Sequence, residues 1–293
     1  MEHLRASRPA TDAHRHARPR LDPCGPAAGG RGRALLRRAR RRHLRVLRHA
    51  RGPQRRRAPL PARGAGRRLP QLTGAAAMTR GRFLTVEGGE GAGKSTNIAR
   101  IVACLEARGL AVEVTREPGG TPLAEEIRTL LLEPREESLA PLTELLLMFA
   151  ARAQHLAQRI EPALAAGRWV VCDRFTDATF AYQGGGRALG TAPIEILARL
   201  VHDARWPDFT LYLDVPPAQG LSRARARGEP DRIEREAQDF FERVRAVYLD
   251  RARAEPARFA VVDASRPLAA VEADVAAALE DFCARVGVAE ARP

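Results

Sequence analysis

A glycine-rich loop between a predicted strand and a predicted helix is the feature that most constrains this chain. The loop is GGEGAGKS, residues 88–95, and it matches the pattern G-x-x-x-x-G-K-[ST]. The apolar run RFLTVE precedes it, and a segment with apolar residues at helical spacing follows it as far as Gly109. Glycines let the backbone N–H groups of such a loop turn inward, and the helix N-terminus adds partial positive charge. The sequence therefore predicts a phosphate-binding loop.

Two side chains of this loop are suited to nucleotide phosphates. Lys94 is expected to reach the β- and γ-phosphates of ATP, and the Ser95 hydroxyl to ligate Mg²⁺. Lys94 is the only lysine of the chain, since the other basic residues are all arginine. A compact ammonium group suits a position beside a transferring phosphate. The residues predicted to bind ATP here are Gly88, Gly89, Glu90, Gly91, Ala92, Gly93, Lys94, Ser95 and Thr96.

Short β-rich apolar runs alternate with longer helical segments from Met78 onward. Such alternation predicts βαβ units, which place helices on both faces of a parallel sheet. We therefore expect an α/β fold of the P-loop NTPase type, a three-layer α/β/α arrangement with a five-stranded parallel sheet. The predicted strands are 82–87, 110–115, 168–173, 209–215 and 258–263. The predicted helices after the loop helix are 121–132, 142–166, 194–203, 234–253 and 267–286.

The third predicted strand ends in an acidic residue followed by an arginine. Ligands of a parallel sheet bind at the carboxyl ends of its strands. Asp173 there can hold the hydration shell of Mg²⁺, and Arg174 can grip an acceptor phosphate. A plain surface ion pair is the alternative that this dipeptide alone leaves open.

Positive charge is concentrated in residues 1–77. This segment has 21 arginines and three acidic residues, whereas residues 78–293 have 28 basic and 32 acidic residues. We expect an Arg-rich disordered leader followed by one catalytic domain, residues 78–293, and we favour a misassigned start with translation beginning at Met78. The alternatives are a basic arm that binds nucleic acid and an organelle transit peptide. Nucleic acid is an expected partner only if this leader is made.

The cysteines are few and scattered, at Cys24, Cys104, Cys172 and Cys283. They form no CxxC pair and no metal-ligand spacing with histidine, so neither zinc nor a disulfide framework is expected. The chain has no apolar stretch approaching ~20 residues. We therefore expect a cytoplasmic protein with no membrane association.

Six segments together resemble one family in their order and spacing. They are VEGGEGAGKST, TREPGGTPLAEEIR, LLLMFAARAQH, CDRFTDATFAYQGGGR, LYLDVPP and RARARGEPDRIE. They resemble bacterial thymidylate kinase, and the resemblance extends from Met78 to about Arg285. It implies ATP-dependent phosphorylation of dTMP to dTDP in dTTP synthesis, by direct in-line transfer with Mg²⁺. It also implies a homodimer.

The resemblance implies specific roles in binding dTMP. Arg152 would donate to the thymine O4, because a guanidinium only donates and so suits a carbonyl better than the amino group of cytosine. Glu90 would meet the sugar 3′-hydroxyl, and Tyr182 would lie where a 2′-hydroxyl would project. The other implied contacts are Thr179 and Gln183 at the base edge, and Arg174 at the acceptor phosphate with Arg116 as a helper.

The chain departs from the family pattern at two positions beside the base. The family often has Phe four residues before the arginine that corresponds to Arg152, whereas this chain has Met148 there and Phe149 next to it. Either side chain is a candidate for stacking on thymine. Ala178 stands where the family commonly has Ser, which puts one polar contact in doubt.

The segment RARARGEPDRIE resembles the mobile lid of this family, and we call residues 223–234 the lid segment. Its arginines, Arg223, Arg225, Arg227 and Arg232, suit a clamp that closes on ATP phosphates. Arg227 is the first candidate for the arginine that stabilises the transition state, together with the catalytic candidates Lys94, Glu90, Asp173 and Arg174.

Two rival functions follow from the same residues. Another small P-loop kinase would differ in the acceptor pocket around Arg152, Thr179 and Gln183. A P-loop switch that binds nucleic acid through the leader would lose that affinity when residues 1–77 are removed.

Overall fold

Five parallel strands form one sheet in the computed structural model, which describes residues 80–226, 229 and 231–288. The strands are β1 (Phe83–Gly88), β2 (Val112–Arg116), β3 (Trp169–Asp173), β4 (Phe209–Asp214) and β5 (Phe259–Asp263). Their order across the sheet is β2-β3-β1-β4-β5, and every neighbouring pair is parallel. The parallel five-stranded sheet predicted from the sequence is confirmed, and β1, which carries the phosphate loop, lies at its centre.

Helices connect consecutive strands, and a last helix follows β5. They are α1 (Lys94–Glu106), α2 (Pro122–Leu132), α3 (Pro141–His155), α4 (Glu161–Ala165), α5 (Thr176–Thr179), α6 (Ala192–Val201), α7 (Pro217–Arg225), α8 (Gln238–Ala254) and α9 (Leu268–Arg285). Two π-helical segments, Leu156–Ile160 and Phe180–Gly186, follow α3 and α5. In this part of the chain, no helix is both long and apolar enough to cross a lipid bilayer.

The alternation of side chains along β1 separates the two helical layers. Leu84 and Val86 pack in a cluster that includes Ile101 of α1 and Leu279 of α9. Residues of the opposite parity face the other layer, because successive side chains of a strand point to opposite faces. Phe83 accordingly belongs to a separate cluster with residues of the segment from 156 to 175. Glu87 has the same parity as Phe83, so its carboxylate is directed into that second layer.

The predicted helix 142–166 is interrupted by a wider turn. The α-helical geometry changes to π-helical at Leu156–Ile160 and resumes in α4. Pro162 lies in the first turn of α4 and has no N–H to donate to the preceding turn. A proline at this place is compatible with the wider hydrogen-bond spacing before it. The change of helical geometry is thus associated with Pro162, and the periodicity of apolar residues gave no sign of it.

A helical segment at 176–186 was not among the predicted helices. It contains three consecutive glycines, Gly184, Gly185 and Gly186, and glycine disfavours a helix by about 1 kcal/mol relative to alanine. The structure shows why small residues stand here. A Cβ at Gly186 would lie 2.4 Å from the Phe240 ring, and one at Gly185 would lie 2.6 Å from Val247. The glycines therefore allow α8 to pack closely against this segment.

Candidate active site

The phosphate loop connects β1 directly to α1. It turns through Gly91 and Gly93, whose φ angles of 67° and 84° lie in the left-handed region that glycine adopts readily. A Cβ at Gly91 would also lie 2.0 Å from the carbonyl oxygen of Gly220. The Lys94 ammonium donates to the carbonyl oxygens of Gly88 and Gly89, each at 3.2 Å. Burial, and then the charge of Arg174, lowers the pKa of Lys94 below its usual value.

A cavity of about 410 Å³ opens beside this loop. It extends from the loop past the end of β3 to α3 and the segment 176–186, and the lid segment covers part of it. The predicted site residues that line it are Glu90, Gly91, Ala92, Gly93, Lys94, Ser95, Met148, Arg152, Asp173, Arg174, Thr179, Tyr182 and Gln183. Residues expected to contact ATP, sugar, base and acceptor phosphate thus share one cavity.

Arg174 and Glu90 form the polar centre of the cavity. The Arg174 Nη2 lies 2.8 Å from the Glu90 Oε1, and the Tyr182 hydroxyl donates to the same oxygen at 2.9 Å. The Arg174 guanidinium also lies over the Tyr182 ring, 4.7 Å from its centroid. The alternative of a plain surface pair between Asp173 and Arg174 does not describe this arrangement, since Arg174 is paired with the loop carboxylate across the cavity.

Glu87 lies behind Arg174 and is fully buried. Its Oε1 accepts the Phe175 N–H at 2.8 Å, and its Oε2 accepts the Tyr248 hydroxyl at 2.7 Å. The Arg174 Nη1 donates to the same Tyr248 hydroxyl at 3.3 Å. Burial, and then the negative charge of Asp177, raises the pKa of Glu87 to about 8.

Arg152 is held in a buried network at the far end of the cavity. Its Nε donates to Glu117 at 2.8 Å and its Nη2 to the Thr179 hydroxyl at 3.0 Å. The other Glu117 oxygen lies 3.0 Å from the His155 Nδ1, and the His155 Nε2 lies 2.6 Å from the Thr115 hydroxyl. The Arg152 Nη1 is buried with no hydrogen-bond partner among the described residues. One end of this guanidinium therefore has donors to spare for a ligand.

The Glu117 carboxylate is charged despite its burial. Burial raises its pKa, but the charge of Arg152 and the hydrogen bond from His155 outweigh that effect. The net result is a pKa below the usual range for glutamate. Arg152 therefore has a full counter-charge in an environment where an isolated guanidinium would be costly.

Gln183 is connected to the lid segment through a buried carboxylate. The Gln183 amide donates to Glu144 at 2.8 Å, and Arg232 donates to the other Glu144 oxygen at 2.6 Å. Arg187 forms a third contact with Glu144, at 3.3 Å. Arg232 also donates through its Nε to the carbonyl oxygen of Leu131 at 2.7 Å. The lid segment is thus attached to the end of α2 and the start of α3.

Two oxygen donors are suited to Mg²⁺. The Asp173 Oδ1 is buried without a hydrogen-bond partner in the described part of the chain. Ser95 is exposed in the first turn of α1 and lines the same cavity. Hydroxyl and carboxylate oxygens are the hard ligands that Mg²⁺ prefers, usually together with water. Within residues 80–226, 229 and 231–288, no cluster of three or more His, Cys, Asp or Glu side chains could hold a metal by itself. The donors present fit a magnesium ion shared with a phosphate substrate.

Some predicted site residues do not line the cavity. Arg116 is exposed and pairs with Glu125 at 2.9 Å. Phe149 is buried in a core cluster, whereas its neighbour Met148 lines the cavity. The other predicted residues that do not line it are Gly88, Gly89, Thr96, Arg223 and Arg225, and Arg227 lies outside the described residues.

The start of the lid segment continues a helix. Arg223 and Arg225 both belong to α7, where Arg223 donates to the carbonyl oxygens of Ala264 and Ser265 after β5. Arg225 is exposed. Arg232 is bound to Glu144 and Leu131 as described above. The arginines of the lid segment therefore differ in their surroundings, which their spacing in the sequence did not indicate.

Several cavity residues were not singled out from the sequence. Glu117, Arg128 and Phe175 line the cavity, and Arg128 donates to the carbonyl oxygen of Pro118 at 2.8 Å. Glu117 and Arg128 both belong to the segment TREPGGTPLAEEIR, which carries part of the resemblance. Their position just after β2 and on the following helix was the available signal, because ligands bind at that end of the sheet.

A parallel sheet with a lysine-containing phosphate loop at the carboxyl end of its central strand defines a P-loop NTPase. The family model described as thymidylate kinase matches residues 86–275 of the chain. The chain therefore belongs to the thymidylate kinase family, as the resemblance of the six segments implied.

Individual relatives agree with this membership. The thymidylate kinase of Chromohalobacter salexigens is 60% identical over 206 residues, which are 70% of this chain and 97% of that one. The thymidylate kinase of Teredinibacter turnerae is 57% identical over 202 residues, 69% of this chain and 98% of its own. The crystal structure of thymidylate kinase from Ehrlichia chaffeensis superposes with a TM-score of 0.55 and a sequence identity of 34%. The aligned residues are 69% of this chain and 99% of that chain.

Proposed function

We propose that this protein is a dTMP kinase, which transfers the γ-phosphoryl group of ATP to dTMP and yields dTDP and ADP for dTTP synthesis. One observation carries the proposal: a single cavity joins Lys94 of the phosphate loop to Arg152, whose free Nη1 can only donate. A donor-only group at this place favours the carbonyl of thymine over the amino group of cytosine. Membership in the thymidylate kinase family supports the same reaction.

The acceptor side of the reaction uses the residues around Arg174. Arg174 binds the phosphate of dTMP, and Glu90, which already accepts from Arg174 and Tyr182, accepts the sugar 3′-hydroxyl. Tyr182 occupies the space of a 2′-hydroxyl and so favours deoxyribose. Thr179 and Gln183 contact the base edge, and Met148 covers the thymine face, since Phe149 is packed in the core. Arg116 is a helper only if its side chain leaves Glu125.

The donor side is built on the phosphate loop. Its N–H groups and Lys94 hold the β- and γ-phosphates, while an oxygen of the dTMP phosphate attacks the γ-phosphorus and the bond to the β-phosphate oxygen breaks. Ser95 and Asp173 would hold Mg²⁺, directly or through water, and this ion supplies charge neutralisation on the phosphate oxygens. Because the transition state spreads charge over the γ-phosphoryl oxygens, position and electrostatics account for most of the catalysis.

The lid segment completes the donor side in this proposal. Arg227 is the first candidate for the transition-state arginine, ahead of Arg223 and Arg225, and it lies outside the described residues. Arg232 is a weaker candidate than its spacing indicated, because its side chain is bound to Glu144 and Leu131.

We also propose a homodimer in the cytoplasm. Three helices, α2, α3 and α6, expose large apolar side chains in pairs at helical spacing, which is an arrangement that a second copy would cover. The pairs are Leu123 and Leu130, Leu142 and Leu146, and Ile196 and Leu200. The described cysteines are unpaired, which is compatible with a reducing compartment.

The test is a coupled assay of ADP release with ATP and Mg²⁺, in which dTMP, dUMP, dCMP, dGMP and UMP are offered in turn. We expect a strong preference for dTMP in the full chain and equal activity in residues 78–293. Lys94→Ala should lower kcat by about 10²- to 10³-fold, because it removes a positive charge from the developing transition state.

Arg100→Ala is the matched control for the lysine variant. Arg100 lies on the same helix and pairs with Glu272 at 2.9 Å, outside the cavity, so its loss should leave kcat unchanged. Preference for another nucleotide would contradict the thymine assignment while keeping the P-loop chemistry. Activity that depends on residues 1–77 would contradict the assignment of catalysis to residues 78–293.

A further inference from the structure

Glu87 and Tyr248 are buried side chains next to Arg174, the arginine proposed to bind the acceptor phosphate, and they do not line the main cavity. Both are fully buried, and neither belongs to the lining of the 410 Å³ cavity. Glu87 lies at the end of the central strand, and Tyr248 lies on α8, 161 residues further along the chain. The roles proposed above use neither of them, although both are polar groups in the interior, where such groups are costly unless bonded.

The Glu87 carboxylate holds the backbone next to Arg174. Arg174 has a φ of 69°, a left-handed conformation that is unfavourable for a residue with a side chain. Two bonds from β1 hold the chain on either side of this conformation. The Arg174 N–H donates to the Val86 carbonyl oxygen at 3.1 Å, and the Phe175 N–H donates to the Glu87 Oε1 at 2.8 Å. The strained backbone is therefore fixed by the central strand.

The second Glu87 oxygen holds the side chain of Arg174 through one intermediate. Tyr248 donates its hydroxyl hydrogen to the Glu87 Oε2 at 2.7 Å, which leaves the lone pairs of that hydroxyl oriented to accept. The Arg174 Nη1 donates to this hydroxyl at 3.3 Å. A hydroxyl that donates and accepts at the same time strengthens both bonds. The two oxygens of one carboxylate thus act on the backbone and on the guanidinium of the same arginine.

We propose that Glu87 and Tyr248 are positioning residues for Arg174, which orient its guanidinium for the phosphate of the acceptor nucleotide. The proposal rests on the function proposed above, in which Arg174 binds that phosphate. An arginine side chain has many rotamers, and ordering it only when the ligand arrives lowers affinity. Pre-orientation by Tyr248 removes part of that cost before dTMP binds.

The test is a double-mutant cycle on the full chain, with the dissociation constant for dTMP measured by titration calorimetry. Tyr248→Phe removes one hydroxyl and keeps the ring, so we expect dTMP affinity to fall about three- to tenfold, the size of one hydrogen bond. Arg174→Ala should weaken binding further. In the Arg174→Ala background, Tyr248→Phe should have no additional effect, because the residue through which it acts is gone.

Tyr212→Phe is the matched control. Tyr212 is a buried tyrosine stacked on Tyr248, with ring centroids 4.8 Å apart, but its hydroxyl donates to Asp214 at 3.1 Å. The Tyr212→Phe variant should bind dTMP as the wild type does. In steady-state assays, Tyr248→Phe should raise KM for dTMP and leave KM for ATP unchanged, a split that a general loss of packing does not produce. Glu87→Ala, which removes both oxygens that contact Phe175 and Tyr248, serves as a second variant and should shift KM in the same direction.

Three other outcomes are possible, and each overturns a specific proposal. If Arg174→Ala binds dTMP as tightly as the wild type, the role of Arg174 is wrong, and the positioning role is overturned with it. If Arg174→Ala weakens binding but Tyr248→Phe does not, only the positioning role is overturned. An equal effect of Tyr248→Phe in both backgrounds also overturns it, because the hydroxyl then acts independently of Arg174.

Discussion

Three buried glutamates surround the cavity, and their partners determine their charge. Glu117 bonds Arg152, and Glu144 bonds Arg232 of the lid segment and Arg187, whereas Glu87 bonds a tyrosine hydroxyl and a backbone N–H. Burial alone raises the pKa of each carboxyl. Direct partners reverse that effect for Glu117 and Glu144, whose pKa values lie below the usual range, but not for Glu87. The same residue type is therefore expected to behave differently at the three positions.

The first prediction concerns Glu87 and pH. Its pKa is raised to about 8 from 4.5, so the folded protein holds this proton more tightly than the unfolded chain does. The contribution of this bound proton to the free energy of unfolding is fully present below pH ~4.5 and is lost as the pH rises through about 8. In Glu87→Gln this loss is absent, so the free energy of unfolding of the wild type should fall relative to the variant by a few kcal/mol, as an order of magnitude, over that range.

Urea unfolding at intervals from pH 5 to pH 9 measures this difference. The exposed Glu126→Gln on α2 serves as control and should follow the wild type. Parallel curves for the wild type and Glu87→Gln would contradict the raised pKa. Asp177, Arg174 and Tyr248 are the charged or titratable neighbours that set this pKa, and all three are retained in the variant.

The second prediction concerns Glu117 and base selectivity. Glu117→Gln removes the counter-charge of Arg152 and one acceptor of the bond network around it. We expect KM for dTMP to rise by about tenfold, the size of one charge-assisted hydrogen bond, and the preference for dTMP over dCMP to fall. Steady-state kinetics with both nucleotides measure the change.

Glu113→Gln is the control for this variant. Glu113 lies on β2 and pairs with Arg159 and Arg168 outside the cavity, so selectivity should be unchanged. Unchanged selectivity in Glu117→Gln, with normal folding, would show that Arg152 keeps its orientation without this carboxylate.

At the scale of elements, one carboxylate joins the lid segment to two helices and to the π-helical segment. Glu144, on α3, accepts from Arg232 of the lid segment, from Gln183 of Phe180–Gly186 and from Arg187 just after it. Arg232 further bonds the carbonyl oxygen of Leu131 on α2. This geometry makes Arg232 an anchor of the lid segment and argues against a direct role at the phosphates of ATP.

The third prediction follows from that anchor. Arg232→Ala should lower the free energy of unfolding by ~1–3 kcal/mol, because it leaves a buried carboxylate with one partner fewer. It should also raise KM for dTMP, since Gln183 shares the carboxylate. Thermal unfolding and steady-state kinetics measure both effects, with Arg100→Ala, outside the cavity, as control. Normal stability together with a large loss of kcat would instead place Arg232 at the transferring phosphate.

At the scale of the whole molecule, α2, α3 and α6 each expose large apolar side chains, and a second copy would cover them in the proposed homodimer. Leu200 is 78% exposed and Ile196 is 62% exposed, one turn apart on α6. Exposed apolar side chains are normal when scattered, but side chains gathered on neighbouring helices indicate an interaction surface.

The fourth prediction tests this face in solution. If the proposed homodimer forms, the wild type should be dimeric and the double variant with Ile196→Asp and Leu200→Asp monomeric, because two carboxylates would have to be desolvated in the interface. Sedimentation velocity measures the state. Leu268→Asp, at a 58% exposed position on α9, is the control and should remain dimeric. A dimer that survives the double substitution would contradict the proposed face.

Local sequence patterns were sufficient to predict the larger part of the fold. The phosphate loop, the five strands and most helices follow from glycine spacing and apolar periodicity, which act over a few residues and are written directly in the sequence. The resemblance of six segments was sufficient to indicate the family. Local rules failed where tertiary packing overrode them, as at Gly184–186, where close approach of α8 compensates for low helix propensity.

Contacts between distant residues were decided only by the tertiary structure. Arg152 and Glu117 are 35 positions apart, Arg232 and Glu144 are 88 apart, and Tyr248 and Glu87 are 161 apart. The spacing of charges in a sequence does not state which of them meet, because the partner of a buried charge depends on which strand ends and helix faces are brought together. The sequence alone therefore predicted a phosphate site and an arginine for the acceptor phosphate, while the fold determined which buried glutamates contact Arg152 and Arg232 and, through Tyr248, Arg174.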